Sequence, residues 1–186
     1  MSNVNLRIGC KSIRAANDSG PRSLQPKYIV IHSTESPNHK GSARAVANYF
    51  KNGAPASVQV VMDDFECYRC LPDMVIPWGA PPFNSRGLHI EQCGRAEWTR
   101  SEWFNHRATI DRTAKAAAYW AKYYGIPPRW LSPARCKNYM SGITSHRNVA
   151  IAFGKTDHTD PGPEDNKHYP YDYFLRKVQS IYDGIS

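Results

Sequence analysis

Short apolar runs rich in β-branched residues alternate along the chain with longer segments in which apolar residues recur every three or four positions. The first pattern predicts β-strands, and the second predicts amphipathic helices. Strands that are interleaved with helices indicate an α/β domain built on a mixed sheet. The predicted strands are 27–33, 57–63, 66–71 and 88–93, and the predicted helices are 42–53, 109–125 and 171–184.

The segments between these elements are rich in turn-forming residues. Residues 1–26 are polar and contain Gly, Ser and Pro, which predicts an N-terminal arm packed on a single domain formed by residues 27–186. Residues 77–87 are predicted to form a loop because Pro and Gly interrupt them. Ser42 can cap the first predicted helix, since a Ser side chain accepts a hydrogen bond from the helix N-terminus.

The composition is that of an ordinary globular domain. The chain has 186 residues, of which 41% are hydrophobic and 22% are charged, enough to bury a core. No apolar run approaches the ~18 residues of a membrane span, and the N-terminus lacks the apolar stretch of a signal peptide. We therefore expect synthesis in the cytosol, with outside help for any export.

Five cysteines bear on the redox state of the chain. An odd number of cysteines without a signal peptide favours reduced thiols over a disulfide framework. The Cys67-x-x-Cys70 pair is expected to serve packing, because a structural zinc site needs four ligands and no second pair follows. The five are Cys10, Cys67, Cys70, Cys93 and Cys136.

The charge balance favours anionic partners, since the net charge is +8 and the pI is near 9.3. Nucleic acid, an anionic membrane surface and a bacterial wall rich in carboxylates and phosphates all meet that description. The Lys and Arg residues are scattered rather than clustered, which disfavours a dedicated stripe for nucleic acid.

Three residues that are distant in the sequence form a candidate metal-ligand set: His32, His146 and Asp160. His32 ends the first predicted strand, and strand ends are where sites form in α/β sheets. Two His and one carboxylate leave the fourth position of a zinc ion open, which is the catalytic arrangement rather than the structural one. Pro161 pushes Asp160 into extended backbone, so the side chains of His158 and Asp160 should point the same way.

Glu91 and His158 are the candidate acid–base residues. Glu91 lies in an apolar strand, where a carboxylate is costly unless it is paired or used in chemistry. Beside a zinc-activated water Glu91 can act as general base, and His158 can stabilise an oxyanion. Each residue alone also has a simpler interpretation: His32 as a hydrogen-bonded core residue, Glu91 as half of an ion pair and His146 as a surface residue. His89 is interpreted as a structural or surface residue, with contact to a metal ligand as the alternative because it shares the face of Glu91.

Four short motifs occur in the order "YIVIHSTES", "SRGLHIEQCGRAEW", "GITSHRNVAIAFG" and "HTDPGP". Together they resemble the type 2 zinc-dependent N-acetylmuramoyl-L-alanine amidases, a family that includes phage lysozyme-type amidases and peptidoglycan recognition proteins. The likeness covers roughly residues 26–182. It is strongest to the endolysin amidase domains of phages of actinobacteria, such as mycobacteriophages.

This resemblance implies a mixed sheet flanked by helices, with one zinc ion in a surface groove. It implies hydrolysis of the amide between the lactyl group of N-acetylmuramic acid and L-Ala of the stem peptide. By matching motifs, His32, His146 and Asp160 take the places of the zinc ligands, and the place of the general base falls to Glu91. His158 stands where many relatives have Lys, so its charge depends on pH near about 6–7 and we expect the activity to depend on pH between about 5 and 8.

The resemblance also implies substrate contacts. One wall of the groove contains Trp78, which is expected to stack on sugar, and Asn84, which is expected to hydrogen-bond the substrate; a core anchor is the alternative role for Trp78. Thr34 is expected beside the metal site among the substrate-binding residues. Two positions depart from the family: Val58 replaces a Tyr found in some relatives, and Gln59 replaces a frequent His.

The expected protein is the catalytic amidase domain of an actinobacteriophage endolysin. It would stay in the host cytoplasm until its release to the cell wall, as a monomer that binds peptidoglycan, without nucleic acid and without stable membrane association. The alternatives are a non-catalytic peptidoglycan-binding protein, a zinc peptidase that cuts within the stem peptide, and a basic nucleic-acid binder. Loss of a zinc ligand would indicate the peptidoglycan-binding protein, and product masses would identify the peptidase. Steeply salt-dependent binding without zinc would indicate the nucleic-acid binder.

Overall fold

A six-stranded mixed β-sheet forms the centre of residues 3–185, the part of the chain that the computed structural model describes. Its strands are β1 (Lys11–Ser12), β2 (Tyr28–Ser33), β3 (Val60–Met62), β4 (Cys67–Arg69), β5 (Gly87–Gln92) and β6 (Gly142–Ser145). Across the sheet the order is β1-β4-β3-β5-β2-β6, and all neighbours are parallel except the β3–β4 hairpin. The expected α/β class with a mixed sheet is confirmed. Residues 1, 2 and 186, which the predicted arm and domain include, lie outside the described residues.

Helices cover both faces of this sheet. One face packs on the third and sixth helices in a single large apolar cluster that includes Ile31, Ile90 and Phe174. These residues alternate along their strands with residues of the opposite face, as strand geometry requires. The helices are α1 (Ser42–Lys51), α2 (Arg100–Asn105), α3 (Arg107–Tyr124), α4 (Pro133–Lys137), α5 (His146–Phe153) and α6 (Tyr171–Asp183), and Phe83–Arg86 form a short 3-10 turn.

The opposite face of the sheet carries two smaller apolar clusters instead of one. The first lies under α1 and joins Phe50 to Val61 of β3. The second joins Val30 of β2 to Val149 of α5. His32, His89 and Glu91 of the central strands lie on this face, so the apolar packing is interrupted where the candidate site was predicted.

Most predicted elements are confirmed, but several short ones were missed. The predicted strand 57–63 is shorter, beginning at Val60, because Ser57 bonds instead to the backbone of Trp78. Strand β6 was missed because it has four residues and runs into α5 without a turn. Helix α2 had a sequence signal, since Thr99 and Glu102 form a capping box at its start.

The predicted cap of α1 is wrong. The N-cap residue is Gly41, and the hydroxyl of Ser42 accepts a hydrogen bond from the N–H of His39 rather than from the helix. Asp63, at the end of β3, instead accepts a hydrogen bond of 2.8 Å from the N–H of Ala43. A carboxylate at a helix N-terminus is favourable because it complements the positive end of the helix dipole. A residue distant in sequence therefore does what a local Ser was expected to do.

The N-terminal segment that the structure describes is part of the packed structure. Val4 and Leu6 are buried against the large apolar cluster, and β1 adds an edge strand to the sheet. Arg22 is also buried, and its guanidinium donates hydrogen bonds to the carbonyls of Val75 and Gly87. Burial lowers the pKa of Arg22 to about 10, which leaves it charged at neutral pH.

The expectation of reduced thiols is wrong for one pair, because Cys10 and Cys67 form a disulfide. The bond joins Cys67, the first residue of β4, to Cys10, the residue before the edge strand β1. The remaining cysteines are free and buried, so the packing role predicted for Cys70 is confirmed and that for Cys67 is not. The odd count misled because three unpaired core cysteines accompany a single bonded pair.

None of the helices in residues 3–185 is both long enough and apolar enough to cross a membrane.

We predict that Cys10→Ser lowers the free energy of unfolding by about 2–4 kcal/mol, because the disulfide closes a loop of 57 residues in the unfolded chain. Urea unfolding with and without a phosphine reductant measures the effect. The reductant should lower the midpoint of the wild type to that of the variant and leave the variant unchanged. Equal midpoints for the oxidised wild type and Cys10→Ser would contradict the prediction.

Candidate metal centre and active-site groove

Three of the predicted site residues lie in one row across neighbouring strands. In the parallel register, His32 of β2 is paired with Glu91 of β5. On the other side, Ile31 is paired with Ser145, the last residue of β6, so His146 comes next beside His32. The side chain of Ser145 caps α5, which makes His146 the first residue of that helix. The strand register thus assembles a site from residues that are far apart in sequence.

Asp160 reaches this row on the loop that follows α5. Its carbonyl accepts a hydrogen bond of 3.0 Å from the N–H of Arg147, which holds the loop against the start of the helix. Its carboxylate lies 3.4 Å from the N–H of Ser33. The Nδ1 atom of His158 lies 3.1 Å from Oδ1 of Asp160, so the two side chains do share a side of the loop, as predicted.

The ligand atoms of His32, His146 and Asp160 are close enough to share one metal ion. The two Nδ1 atoms are 3.1 Å apart, and each lies 3.3 Å from a carboxylate oxygen of Asp160. Tetrahedral bonds of about 2.0–2.1 Å place ligand atoms about 3.3 Å apart. The spacing of the three side chains therefore fits a zinc-sized ion at their centre.

The protonation of the cluster also suits metal binding. Burial lowers the pKa of His146 to about 4, so its imidazole is neutral at pH 7 and has a lone pair to offer. Burial acts to raise the pKa of Asp160, but hydrogen bonds with His146, His158 and His32 outweigh it and hold that pKa well below the usual range. A neutral imidazole at His146 beside an ionised Asp160 supplies donors of the kind that a divalent cation requires.

Glu91 lies beside the cluster without joining it. Its nearer carboxylate oxygen is 4.0 Å from Nδ1 of His32, and its side chain is 16% exposed. The other oxygen is buried and has no hydrogen-bond partner among the described residues. Burial raises the pKa of Glu91 to about 7. A carboxyl group with such a pKa can both accept and return a proton near neutral pH.

His158 forms the outer side of the site. Its ring stacks on that of His146, with ring centres 3.7 Å apart, and its side chain is 51% exposed. The hydrogen bond with Asp160 raises the pKa of His158. Since Nδ1 faces Asp160, Nε2 is left for a ligand in the groove. The pH dependence of activity that the sequence suggested stays a prediction.

The cluster forms the floor of a cavity of about 860 Å³ that is open to solvent. One wall is α1, from which the exposed side chain of Tyr49 extends, and the other is the loop that contains Trp78. All eight predicted site residues line the cavity. They are Thr34, His32, Trp78, Asn84, Glu91, His146, His158 and Asp160.

The three predicted substrate-binding residues differ in which side-chain groups remain available to a substrate. Trp78 is 40% exposed and donates its indole N–H to Ser19, so it is not a core anchor and its ring faces the groove. The side-chain oxygen of Asn84 accepts hydrogen bonds from two loop N–H groups, which leaves only its amide N–H₂ for a substrate. The hydroxyl of Thr34 bonds to that of Ser36, 2.6 Å away, and not to a metal ligand.

The two departures from the family have different surroundings. Val58 is buried yet lines the groove, where it offers an apolar surface. Gln59 is fully buried, and its side chain bonds to the N–H of His89 and the carbonyl of Val75. His89 lies behind the metal cluster, with its Nδ1 atom 3.0 Å from Nε2 of His32. The only sequence signal for the contact between His89 and His32 was that His89 and Glu91 lie on the same face of a strand.

A His–His–carboxylate cluster on the floor of an open groove defines the class of site, a candidate mononuclear metal centre beside a second carboxylate. Residues 22–163 match the family model described as N-acetylmuramoyl-L-alanine amidase, so the chain belongs to this family of enzymes.

Solved structures share the fold. The Staphylococcus aureus hydrolase AmiA, crystallised with its ligand, matches with a TM-score of 0.70 and 21% identity over 93% of this chain and 82% of that chain. A mutant endolysin from Bacillus subtilis matches with a TM-score of 0.59 and 20% identity over 91% and 99% of the two chains. The endolysin N-acetylmuramoyl-L-alanine amidase LysCS from Clostridium intestinale matches with a TM-score of 0.56 and 16% identity over 91% and 95%.

We predict that the wild-type chain binds about one zinc ion and that His146→Ala or Asp160→Ala removes it, since two remaining ligands do not hold the ion. Metal content after dialysis against zinc, read by mass spectrometry, is the measurement. Asp165→Ala is the matched control, because Asp165 lies on the same loop but bonds only to Lys167 and His168. Full metal content in Asp160→Ala would contradict the assignment.

Proposed function

We propose that this chain is a zinc-dependent N-acetylmuramoyl-L-alanine amidase that hydrolyses the amide between N-acetylmuramic acid and L-Ala of peptidoglycan. The observation that carries the proposal is the convergence of His32, His146 and Asp160 on the floor of a groove, with the partly buried carboxyl of Glu91 beside them. Membership of the amidase family supports the type of bond.

His32, His146 and Asp160 are the proposed zinc ligands. Two nitrogens and one oxygen are a donor set that suits zinc, and three protein ligands would leave the ion able to take water or substrate as well. When bound, zinc supplies Lewis-acid chemistry that polarises a carbonyl and lowers the pKa of water. The protein contributes a rigid frame, because each ligand is buried and fixed by a strand, a helix start or a loop bonded to that helix.

Glu91 is the proposed general base and then the general acid. It takes a proton from the attacking water as the carbon–oxygen bond forms, and it gives that proton to the amine of L-Ala as the carbon–nitrogen bond breaks. Burial places its pKa near the value that serves both steps at neutral pH. Val58 carries no acid–base group, so the Tyr found in some relatives has no counterpart here and the proton transfer is assigned to Glu91.

His158 is the proposed stabiliser of the tetrahedral oxyanion. Its Nδ1 atom is paired with Asp160, which orients the ring and directs Nε2 to the groove. Stacking on His146 fixes the ring in a second direction. A donor held in advance at the developing negative charge lowers the barrier without reorganisation during the reaction.

The groove walls are proposed to hold the sugar and the stem peptide. Trp78 offers an aromatic face for stacking, and Asn84 offers an amide N–H₂. Thr34 is half-buried and its hydroxyl is bonded to Ser36, so the rest of its side chain is the part proposed to contact substrate. No Lys or Arg is among the described residues that line the groove, so the net charge of +8 resides elsewhere on the chain.

The proposed biological role is host-cell lysis by an actinobacteriophage endolysin, acting as a monomer on the wall after a cytoplasmic phase. The shared fold with endolysins supports the role. The positive charge supports attraction to an anionic wall rather than to a particular stem peptide. A peptidoglycan-binding protein without activity and a zinc peptidase are the competing functions.

We predict that the chain releases free stem peptides beginning with L-Ala from purified mycobacterial-type peptidoglycan, and that a chelator abolishes and zinc restores the reaction. Product masses identify the bond. Intact glycan–peptide linkage in the presence of bound zinc would exclude the amidase and leave the binding protein, while fragments cut within the stem would indicate the peptidase.

Glu91→Gln should lower kcat about 10²–10⁴-fold, since the amide cannot accept the proton of water. Release of stem peptide at saturating substrate measures the loss, and zinc content should stay at the wild-type level. Glu97→Gln is the matched control, because Glu97 is exposed on the surface. Retention of wild-type kcat by Glu91→Gln would remove Glu91 from the mechanism.

His158→Ala should lower kcat about 10²–10³-fold, as loss of one oxyanion donor does. His168→Ala serves as control, since His168 pairs with Asp165 outside the groove. If both variants lose the same small fraction of activity, His158 acts only through loop packing.

A further inference from the structure

The pairing between His89 and His32 has a direction that the metal cluster determines. Nδ1 of His32 faces His146 and Asp160, so it is the nitrogen that must offer a lone pair to the metal. A neutral imidazole then carries its proton on Nε2. That nitrogen lies 3.0 Å from Nδ1 of His89, which must therefore be the acceptor.

The position and orientation of the His89 ring are tightly restricted by its surroundings. The residue is fully buried, and its backbone N–H donates to the side chain of Gln59. Glycines lie against the ring on two sides. A Cβ atom added at Gly79 would lie less than 3.0 Å from three ring atoms, including Nδ1, and one added at Gly87 would lie 2.5 Å from Nε2. The ring thus occupies space that only glycine leaves open.

The groove loop maintains this enclosure. Asn84 accepts hydrogen bonds from the N–H groups of Gly79 and Ala80, which fixes Gly79 against the ring. Gly87, on the other side, begins β5, and Arg22 of the N-terminal arm binds its carbonyl. Residues from three separate segments therefore determine where His89 lies.

Burial of the His89 ring leaves one of its nitrogens without a hydrogen-bond partner, which a side chain needed only for packing would avoid. If Nδ1 of His89 accepts, its proton is on Nε2, and that nitrogen is buried with no hydrogen-bond partner among the described residues. A buried unpaired N–H destabilises the folded state, whereas an apolar side chain in the same space would not. The imidazole is therefore better explained by what it does for His32.

We propose that His89 is a positioning residue for the metal centre: its Nδ1 accepts the Nε2 proton of His32 and so fixes the ring orientation and the tautomer in which His32 binds zinc. The inference rests on the proposed zinc centre and adds a residue that the ligand set does not contain. A partner of this kind raises the basicity of the ligand and removes the freedom of its ring.

His89→Asn and His89→Leu form a matched pair that separates this role from packing. Both replace the ring with a side chain branched at Cγ, and both lose the same part of the ring. Asn can place its oxygen where Nδ1 lies and accept the proton of His32, while Leu cannot. The readout is the zinc dissociation constant of the full chain, measured by competition with a chromophoric chelator, together with the visible spectrum of the Co²⁺-loaded protein.

We expect His89→Leu to raise the zinc dissociation constant about 10–100-fold, as removal of a hydrogen-bond partner of a metal-bound His does. His89→Asn should retain most of the affinity and the wild-type Co²⁺ spectrum, and both variants should unfold at similar denaturant concentrations in chelator. Equal weakening in the two variants would mean that the ring acts by packing. Wild-type affinity in His89→Leu would mean that it does not act on the metal. Either result overturns the inference.

A second variant keeps the test decisive if His89→Leu does not fold. Gly79→Ala leaves both histidines in place but forces the ring of His89 away from its position. It should weaken zinc binding, while Gly184→Ala, whose added Cβ meets its nearest neighbour at 3.6 Å, should not. Unchanged affinity in Gly79→Ala overturns the inference.

The two proposals can fail separately. If the wild type binds no zinc, the zinc centre and the role of His89 fail together. If the wild type binds zinc and the Leu and Asn variants differ as expected, the role of His89 stands even where peptidoglycan is not cleaved.

Discussion

The parallel pairing of β5, β2 and β6 is the constraint on which the site depends. It sets Glu91, His32 and His146 in one row, so the proposed base and two of the proposed ligands are positioned by backbone hydrogen bonds rather than by loops. A shift of this register by one residue would turn His32 into the core and bring Ile31 to the groove. The large apolar cluster on the other face opposes such a shift, because Ile31 packs there. The same strand register therefore determines the core packing on one face of the sheet and the site geometry on the other.

The sheet face that carries the site depends on the pairing of its buried ionisable groups. Buried charge is tolerated there because each ionisable group has a partner: Asp160 has three imidazoles, and His32 has Asp160 on one side and His89 on the other. Glu91 is the exception, since one of its oxygens has no partner among the described residues. A carboxyl group that is left unpaired beside a paired cluster is poised for proton transfer, whereas the paired groups are poised to hold charge in place.

Much of this arrangement could be predicted from the sequence. Apolar periodicity identified the main strands and helices, and the order of four motifs pointed to the candidate ligands His32, His146 and Asp160. The convergence itself could not be predicted, because β6, which places His146, is too short to show a period. The disulfide escaped because the partner of Cys67 depends on the path of the N-terminal arm and not on local spacing. Asn84 shows a third limit, since a residue type suited to substrate binding is used mainly to hold its own loop.

The N-terminal arm has a consequence for anyone who shortens or fuses this protein. The family match begins at residue 22, and a boundary drawn from that match would discard β1, the buried Val4 and Leu6, and the disulfide partner of Cys67. A truncated version would expose the edge of β4 and leave a free thiol there, which invites pairing between chains. The C-terminal side is the better attachment point, because α6 ends at Asp183, Gly184 is exposed and Ile185 is only partly buried.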